Sequence, residues 1–465
     1  MRNPAFLLLP LLTAACAAGP EYRPPASRVA ASAGFVTAAP ATDSTAPLPD
    51  RWWRIYDDPV LDRLIARAFA ANTDLRVAAA NLDRARAVLG ESRAGRLPQT
   101  ALSGGAAYGD GQSGQAGASS RQWTYTGGLA VSWEADLFGR VGRAIEAAQA
   151  DAQAVAAVRD AVRVTVAAET ARAYANACSF ADAAAVARES LVIAEDGLKL
   201  VTAQEKAGSA GRLDVERAAT AVANARAAIA PIDGERRVAL FELAALIGET
   251  PSGVPAEALQ CAAPPVPVAL LPIGDGAQLL RRRPDLREAE RRLAADTARI
   301  GVAMADLYPR ISFGGSANYL RNDAVRGADA FSFAVGPLLS WSFPNIAVAR
   351  ARIRQAEAQG DAALATFDGK VLGALKEVEQ ALATYAAQDE RNRALVQARG
   401  SADTAYRLAN ARYRAGSISY LDLLVTQRDW TDARAALAES TQRLGSARID
   451  LFKALGGGWE MAADQ

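Results

Sequence analysis

Histidine is absent from this 465-residue chain. That absence removes the commonest general base, the usual catalytic triads and most zinc sites. Aromatic residues are sparse at 6%, whereas hydrophobic residues reach 51%, with alanine filling much of that share. Alanine enters helices at little entropic cost and lets them approach closely. The formal net charge is +1, so the chain lacks the strong positive field of a nucleic-acid binder. It has no P-loop. Beyond the N-terminus, no uninterrupted apolar run approaches the roughly 20 residues of a membrane-spanning helix. An enzyme using only carboxylates or lysine is the remaining catalytic class. The expectation is a protein that is not an enzyme and has no catalytic residue, metal site or cofactor.

What is present begins with a secretion signal over residues 1–15. Arg2 supplies the positive start, Ala5 to Leu12 a short apolar core, and Thr13-Ala14-Ala15 small residues before a cleavage point. Cys16 then looks like the lipidated residue of a bacterial lipobox, although leucine sits one place early, at Leu12. An ordinary cleavage site with a chance cysteine is the alternative. Ala17 resembles the outer-membrane default of such lipoproteins.

The chain repeats itself. Asp74-Leu75-Arg76 recurs as Asp285-Leu286-Arg287, Pro98 as Pro309 and Tyr108 as Tyr319, all at a spacing of 211. Ser132-Trp133 recurs as Ser340-Trp341, and Gly208-Ser209 with Leu213-Asp214 as Gly416-Ser417 with Leu421-Asp422, at a spacing of 208. The three-residue difference falls in a Gly/Ser-rich loop, where length changes are tolerated. Each copy is expected to run helix, strand, loop, strand, long helix, turn, helix. The expected organisation is a lipidated extended segment over 16–50, a first repeat over 51–248 with its β-hairpin at 99–134, a connector over 249–274, a second repeat over 275–456 with its β-hairpin at 310–342, and a tail over 457–465.

Period-two alternation marks the strands. Trp123, Tyr125, Leu129, Val131 and Trp133 share a face, as do Ile311, Phe313, Ala317 and Tyr319, and Phe331, Phe333, Val335, Leu339 and Trp341. The segment Thr100 to Tyr108 has the weakest alternation. These lengths suit tilted membrane strands of about 9–11 residues, with aromatics at the ends. A soluble sandwich with one wet face is the alternative. Two hairpins supply four strands, too few to close a barrel, and open edges cannot face lipid. The strands must then be shared between subunits.

From Arg140 to Lys206 no proline interrupts the helical pattern, and the second copy runs similarly from Val348 to Ala415. Such a helix would reach roughly 100 Å at ~1.5 Å per residue. Leu191, Ala194, Leu198 and Val201 follow heptad spacing, which an ordinary coiled coil would share. Gly208 and Gly416 suit left-handed helix stops, Ser419 with Asp422 a capping box, and Pro231 with Gly234 an interruption and kink in the returning helix.

Together these residues resemble the TolC-type outer-membrane efflux channels, particularly their lipoprotein branch. The resemblance rests on Cys16 followed by Gly19-Pro20-Glu21-Tyr22-Arg23-Pro24, on Trp52-Trp53 with Asp58-Pro59 and Asn72, on Arg283-Pro284-Asp285-Leu286 with Gly301 and Tyr308-Pro309-Arg310, and on Leu455-Gly456-Gly457-Gly458-Trp459. It implies a mostly α fold with a small membrane β-barrel part. A homotrimer would form a 12-stranded barrel in outer-membrane lipid and an α-helical periplasmic tunnel. It implies a passive efflux conduit working with a periplasmic adaptor protein and an inner-membrane pump. A duct for type I protein secretion, or a non-conducting envelope scaffold, is the alternative.

In that family the periplasmic turns close the tunnel. Carried over, the gate candidates are Asp422, Tyr413 and Asp214, and the adaptor-contact candidates are Gly208, Ser209, Gly416 and Ser417. A plain helix cap is the rival role for Asp422. Ile418 and Val425 depart from the pattern, standing where some relatives have an arginine and a second aspartate. The family's connector belts the helices at mid-height. A bridge from Cys178, near the midpoint of the first long helix, to Cys261 in the connector is therefore expected, with two free thiols as the alternative.

Overall fold

Two helices of 67 and 69 residues dominate the chain. The computed structural model describes residues 18–25, 34–37, 39–46, 48–111, 120–341 and 346–458. The signal segment and Cys16 lie outside the described residues. The elements are β1 (Thr42–Asp43), α1 (Pro59–Ala71), α2 (Thr73–Ala94), β2 (Gln99–Gly111), β3 (Ser120–Ala135), α3 (Arg140–Lys206), α4 (Arg212–Leu246), α5 (Ala256–Leu259), β4 (Leu271–Pro272), α6 (Gly276–Arg282), α7 (Pro284–Ala305), β5 (Arg310–Arg321), β6 (Phe331–Ser340), α8 (Ile346–Arg414) and α9 (Tyr420–Ala454). The residues fall into two compact units. One comprises 1–26, 80–156 and 287–368, the other 27–79, 157–286 and 369–465, so each draws on both halves of the sequence.

The first unit holds a four-stranded antiparallel sheet in the order β2-β3-β5-β6. Its register aligns the separate alternations into one surface. Leu102 stands opposite Leu129, Leu129 opposite Ala317 and Ala317 opposite Phe333. At one end Tyr108 faces Trp123 and Tyr319 faces Phe331; at the other Trp133 faces Phe313. The opposite face carries Ser103, Thr124, Thr126, Ser132, Ser312, Ser316, Asn318, Ser332 and Ser340. Leu102, Phe333 and Val335 are 86%, 85% and 84% exposed, values no protein core leaves uncovered. A sandwich would need a second sheet over this face. Among the described residues the other sheet is the two-stranded pair of β1 with β4, two residues long.

Both copies lock the foot of the sheet the same way. The indole of Trp133 donates to Arg96 O at 2.8 Å, and that of Trp341 to Leu307 O at 3.2 Å. Asp136 caps the start of α3 by accepting from Val141 N and Gly142 N at 2.9 and 2.7 Å, and Gly139 turns the chain with φ +77°. The tail before the first repeat is seated here. Ala18 N donates to Phe138 O at 3.1 Å, Arg143 holds the carbonyls of Ala18 and Gly19, and Tyr22 donates to Glu290.

The second unit is built around Trp52, which is fully buried and stacks on Phe452 with ring centres 4.6 Å apart. Leu61, Leu64, Ile65, Leu243, Leu382, Tyr385 and Leu451 complete this core. Each such burial is worth about 1.5–3 kcal/mol. Asp58 caps α1 through Val60 N and Leu61 N, with Pro59 at the first helical position. Arg283 ties three elements together: it pairs with Asp285 and with Glu377 on α8, each at 2.7 Å, and donates to Ala454 O at the end of α9. Burial alone would raise the Asp285 carboxyl, but Arg283 holds it below the usual carboxylate range.

The long helices match their predicted spans closely. Pro231 and Gly234 do not interrupt α4, which continues through both to Leu246. A proline deletes one donor, and the long turns of helix on either side carry the chain past it. Among the described residues no helix is long and apolar enough to cross a membrane.

Candidate gate at the helix turns

Both long helices end in the same device. After α3, Gly208 takes φ +77°, with Gly208 N donating to Glu205 O and Ser209 N to Gln204 O, each at 2.9 Å. After α8, Gly416 takes φ +72°, with Gly416 N donating to Tyr413 O and Ser417 N to Arg412 O. This double bond pattern is a Schellman stop, and the left-handed residue favours glycine. Ser209 and Ser417 turn their hydroxyls back onto Gln204 O and Arg412 O at 3.1 and 3.0 Å. The exposed side chains at the turns include Leu213 and Leu421, which hold equivalent places in the two copies.

Behind the turns lies a small apolar cluster of Val201, Val215, Ala218, Ala409, Tyr413, Tyr420 and Leu423, joined by Leu198, Tyr406 and Ile418. It brings α3, α4, α8 and α9 together at one place. Tyr413 on α8 donates its phenol proton to Gln204 Oε1 on α3. Its ring lies 5.7 Å from that of Tyr420. Burial raises the Tyr413 phenol, aided by the negative charge of Asp214. Tyr420 is pushed up to about 12 by burial first, then by Tyr413 and Asp214.

The two aspartates differ. Asp422 is exposed and occupied by a capping box: Ser419 N and Oγ donate to its Oδ2 at 3.1 and 2.7 Å, while its own N–H donates to Ser419 Oγ at 3.2 Å. Asp214 has no such cap, because Gly211 stands where Ser419 stands in the second copy. Asp214 is half-buried, pairs with Arg217 at 3.4 Å and acts on both tyrosines. The structure thus gathers Tyr413, Asp214 and the four turn residues at one locus and adds Gln204 and Tyr420. Neither addition was legible as a functional residue. Gln204 shows only as a polar side chain in the last turn of α3, and Tyr420 only as one of the three residues, Ile418-Ser419-Tyr420, by which the second turn departs from Ala210-Gly211-Arg212 in the first.

Away from the turns, Cys178 on α3 and Cys261 have Cα atoms 5.1 Å apart, with their sulfurs bonded. Among the described residues no group of three or more His, Cys, Asp or Glu side chains is placed to hold a metal ion.

The family described as outer membrane efflux protein matches this chain twice, over residues 64–249 and 276–457. Outer membrane protein OprJ of Pseudomonas aeruginosa is 33% identical, covering 99% of this chain and 97% of its own length. Nodulation protein T of Rhizobium leguminosarum bv. trifolii is 30% identical over 97% of both. The solved outer-membrane channel OprN superposes with a TM-score of 0.85 at 34% identity, covering 96% of this chain and all of that one. The doubled helix-and-hairpin unit, the one-sided apolar sheet and these matches together show that the chain belongs to the outer membrane efflux protein family, as an efflux channel component of the outer membrane.

Proposed function

We propose that three copies of this chain close a 12-stranded barrel in the outer membrane and line one continuous tunnel with their long helices. The observation that carries this reading is the sheet. Its edges, β2 and β6, have no partner on their outer sides among the described residues, and one face is apolar from edge to edge. Open edges are not stable in lipid. An even number of alternating strands makes β2 and β6 run in opposite directions, so β6 of one copy meets β2 of the next as another antiparallel pair. Three copies give twelve strands.

The tunnel is passive, and a periplasmic adaptor and an inner-membrane pump supply the coupling. The turns at Gly208-Ser209 and Gly416-Ser417 receive the adaptor, with Leu213 and Leu421 as their apolar contacts. Tyr413, Asp214 and Asp422 control the mouth: Tyr413 holds α8 to α3, and the aspartates attract cations to the closed ring. Cys16 carries the lipid anchor, and the Cys178–Cys261 bridge pins the connector to α3. The chain acts as a duct rather than a catalyst.

Size measurement in detergent and single-channel recording in planar bilayers test this together. A trimer with a low-conductance resting state that opens on loosening the turns is expected. A monodisperse monomer, or a trimer that never conducts, would overturn it.

A further inference from the structure

The two returning helices carry the same arginine and use it differently. Arg226 on α4 and Arg434 on α9 are related by the repeat spacing of 208, as are Glu195 on α3 and Asp403 on α8. In the first copy the pair closes on itself: Arg226 meets Glu195 at 2.9 Å, joining α4 to α3 within one hairpin. In the second copy it does not. Where the first copy has Val222, the second has Trp430. The Trp430 ring is buried, stacks on Tyr406 with centres 5.0 Å apart, and donates its indole N–H to Asp403 Oδ1 at 2.5 Å. With Asp403 Oδ1 taken by Trp430 and its Oδ2 3.5 Å from Arg399, Arg434 lies over the Trp430 ring at 4.6 Å and reaches out of its own hairpin to Glu189 on α3 at 2.7 Å.

The consequence is mechanical. Trp430 joins α9 to α8 by two contacts, the Tyr406 stack and the Asp403 hydrogen bond. Arg434 joins α9 to α3. Further polar links from α9 to α3 among the described residues, Gln442–Asn176, Asp450–Arg172 and Lys453–Glu169, lie farther from the turn. Arg434 stands 14 residues past Tyr420, about 20 Å along the helix at ~1.5 Å per residue. The Arg434 side chain is 12% exposed and its ring contact fixes its direction, so the arginine is held in place for Glu189, which is 54% exposed.

We propose that Arg434, diverted by Trp430, is a second latch that holds the α8–α9 hairpin against α3 and keeps the mouth shut. It is a positioning residue and touches no cargo. The inference rests on the gate reading of the turns above.

The test measures resting-state conductance of the full-length trimer in planar bilayers for Glu189→Gln, Trp430→Val and Tyr413→Phe. Trp430→Val restores the first-copy residue and frees Asp403 Oδ1 for Arg434. Glu189→Gln and Trp430→Val are each expected to raise resting conductance at least threefold, with the Glu189→Gln melting temperature unchanged. The double variant should leak no more than the leakier single, because both act on one link. If Tyr413→Phe leaks while Glu189→Gln stays at the wild-type level, the latch is overturned and the gate reading stands. If neither leaks, both fall. A double variant that leaks by the product of the singles would also overturn a shared latch.

Discussion

Gly19 and Gly301 meet backbone to backbone: a Cβ on Gly19, which has φ +96°, would overlap Gly301 Cα, and a Cβ on Gly301 would stand 2.8 Å from Ala18 O. The contact seats the tail that follows Cys16 against α7. Gly301→Ala must displace either that tail or the Arg143 side chain, 2.9 Å from the added atom. A loss of about 1–3 kcal/mol is expected. Thermal unfolding and limited proteolysis check it; unaltered cleavage across residues 18–25 would show that the contact does not hold the tail.

Asp422 serves a cap and carries a charge, and two substitutions separate these. Asp422→Asn keeps an acceptor for Ser419 and loses the charge. It should leave stability unchanged while lowering cation selectivity. Asp422→Ala loses both, frays α9 at a cost of about 1 kcal/mol and raises resting conductance. Reversal potentials in asymmetric salt, read beside melting temperature, distinguish the two roles. Equal selectivity in all three proteins would leave Asp422 as a cap alone.

The Cys178–Cys261 link encloses a sequence separation of 83 residues. Chain entropy for a loop of that size gives roughly 4–5 kcal/mol of stabilisation. Reduction, or Cys178→Ser with Cys261→Ser, is expected to lower the melting temperature without changing resting conductance, because the link lies away from the turns. Mass spectrometry of unreduced protein that finds two free thiols would rule the bridge out.

The tip tyrosines set an alkaline limit. Burial pushes the Tyr420 phenol up to about 12 in the folded chain, from an ordinary 10.0. A phenol raised by folding contributes stability that is complete below pH 10 and is lost as pH rises through 12. Resting conductance should therefore stay flat through neutral pH and climb only above about pH 10. Tyr420→Phe should remove part of that climb and one late step in tyrosinate absorbance. A conductance rise centred near neutrality would point to other groups.

Much of the architecture was legible because it is written in local periodicity. Alternation in Trp123 to Trp133 and Phe331 to Trp341 specified strands, the absence of proline from Arg140 to Lys206 specified a long helix, and Gly416 with Ser419 and Asp422 specified a stop and a cap. Each signal depends on neighbours within a few turns of chain. Pro231 misled for the same reason: one lost donor reads as a break locally, but the helix around it sets the outcome.

What the sequence determined by itself is therefore the long helices, the two β-hairpins, their order and duplication, and the apolar face of three of the four hairpin strands; the β1–β4 pair and the short helices α5 and α6 came only with the structure. Only the tertiary structure decided that β3 pairs with β5, so that two hairpins become one sheet. It alone placed Tyr413 on Gln204, Gly19 on Gly301 and Arg434 on Glu189 rather than Asp403. These pairs join residues 200 or more positions apart. Periodicity carries no information over such distances, because which surfaces meet is settled by the burial of whole helix faces and by which partner each charged group is left to find.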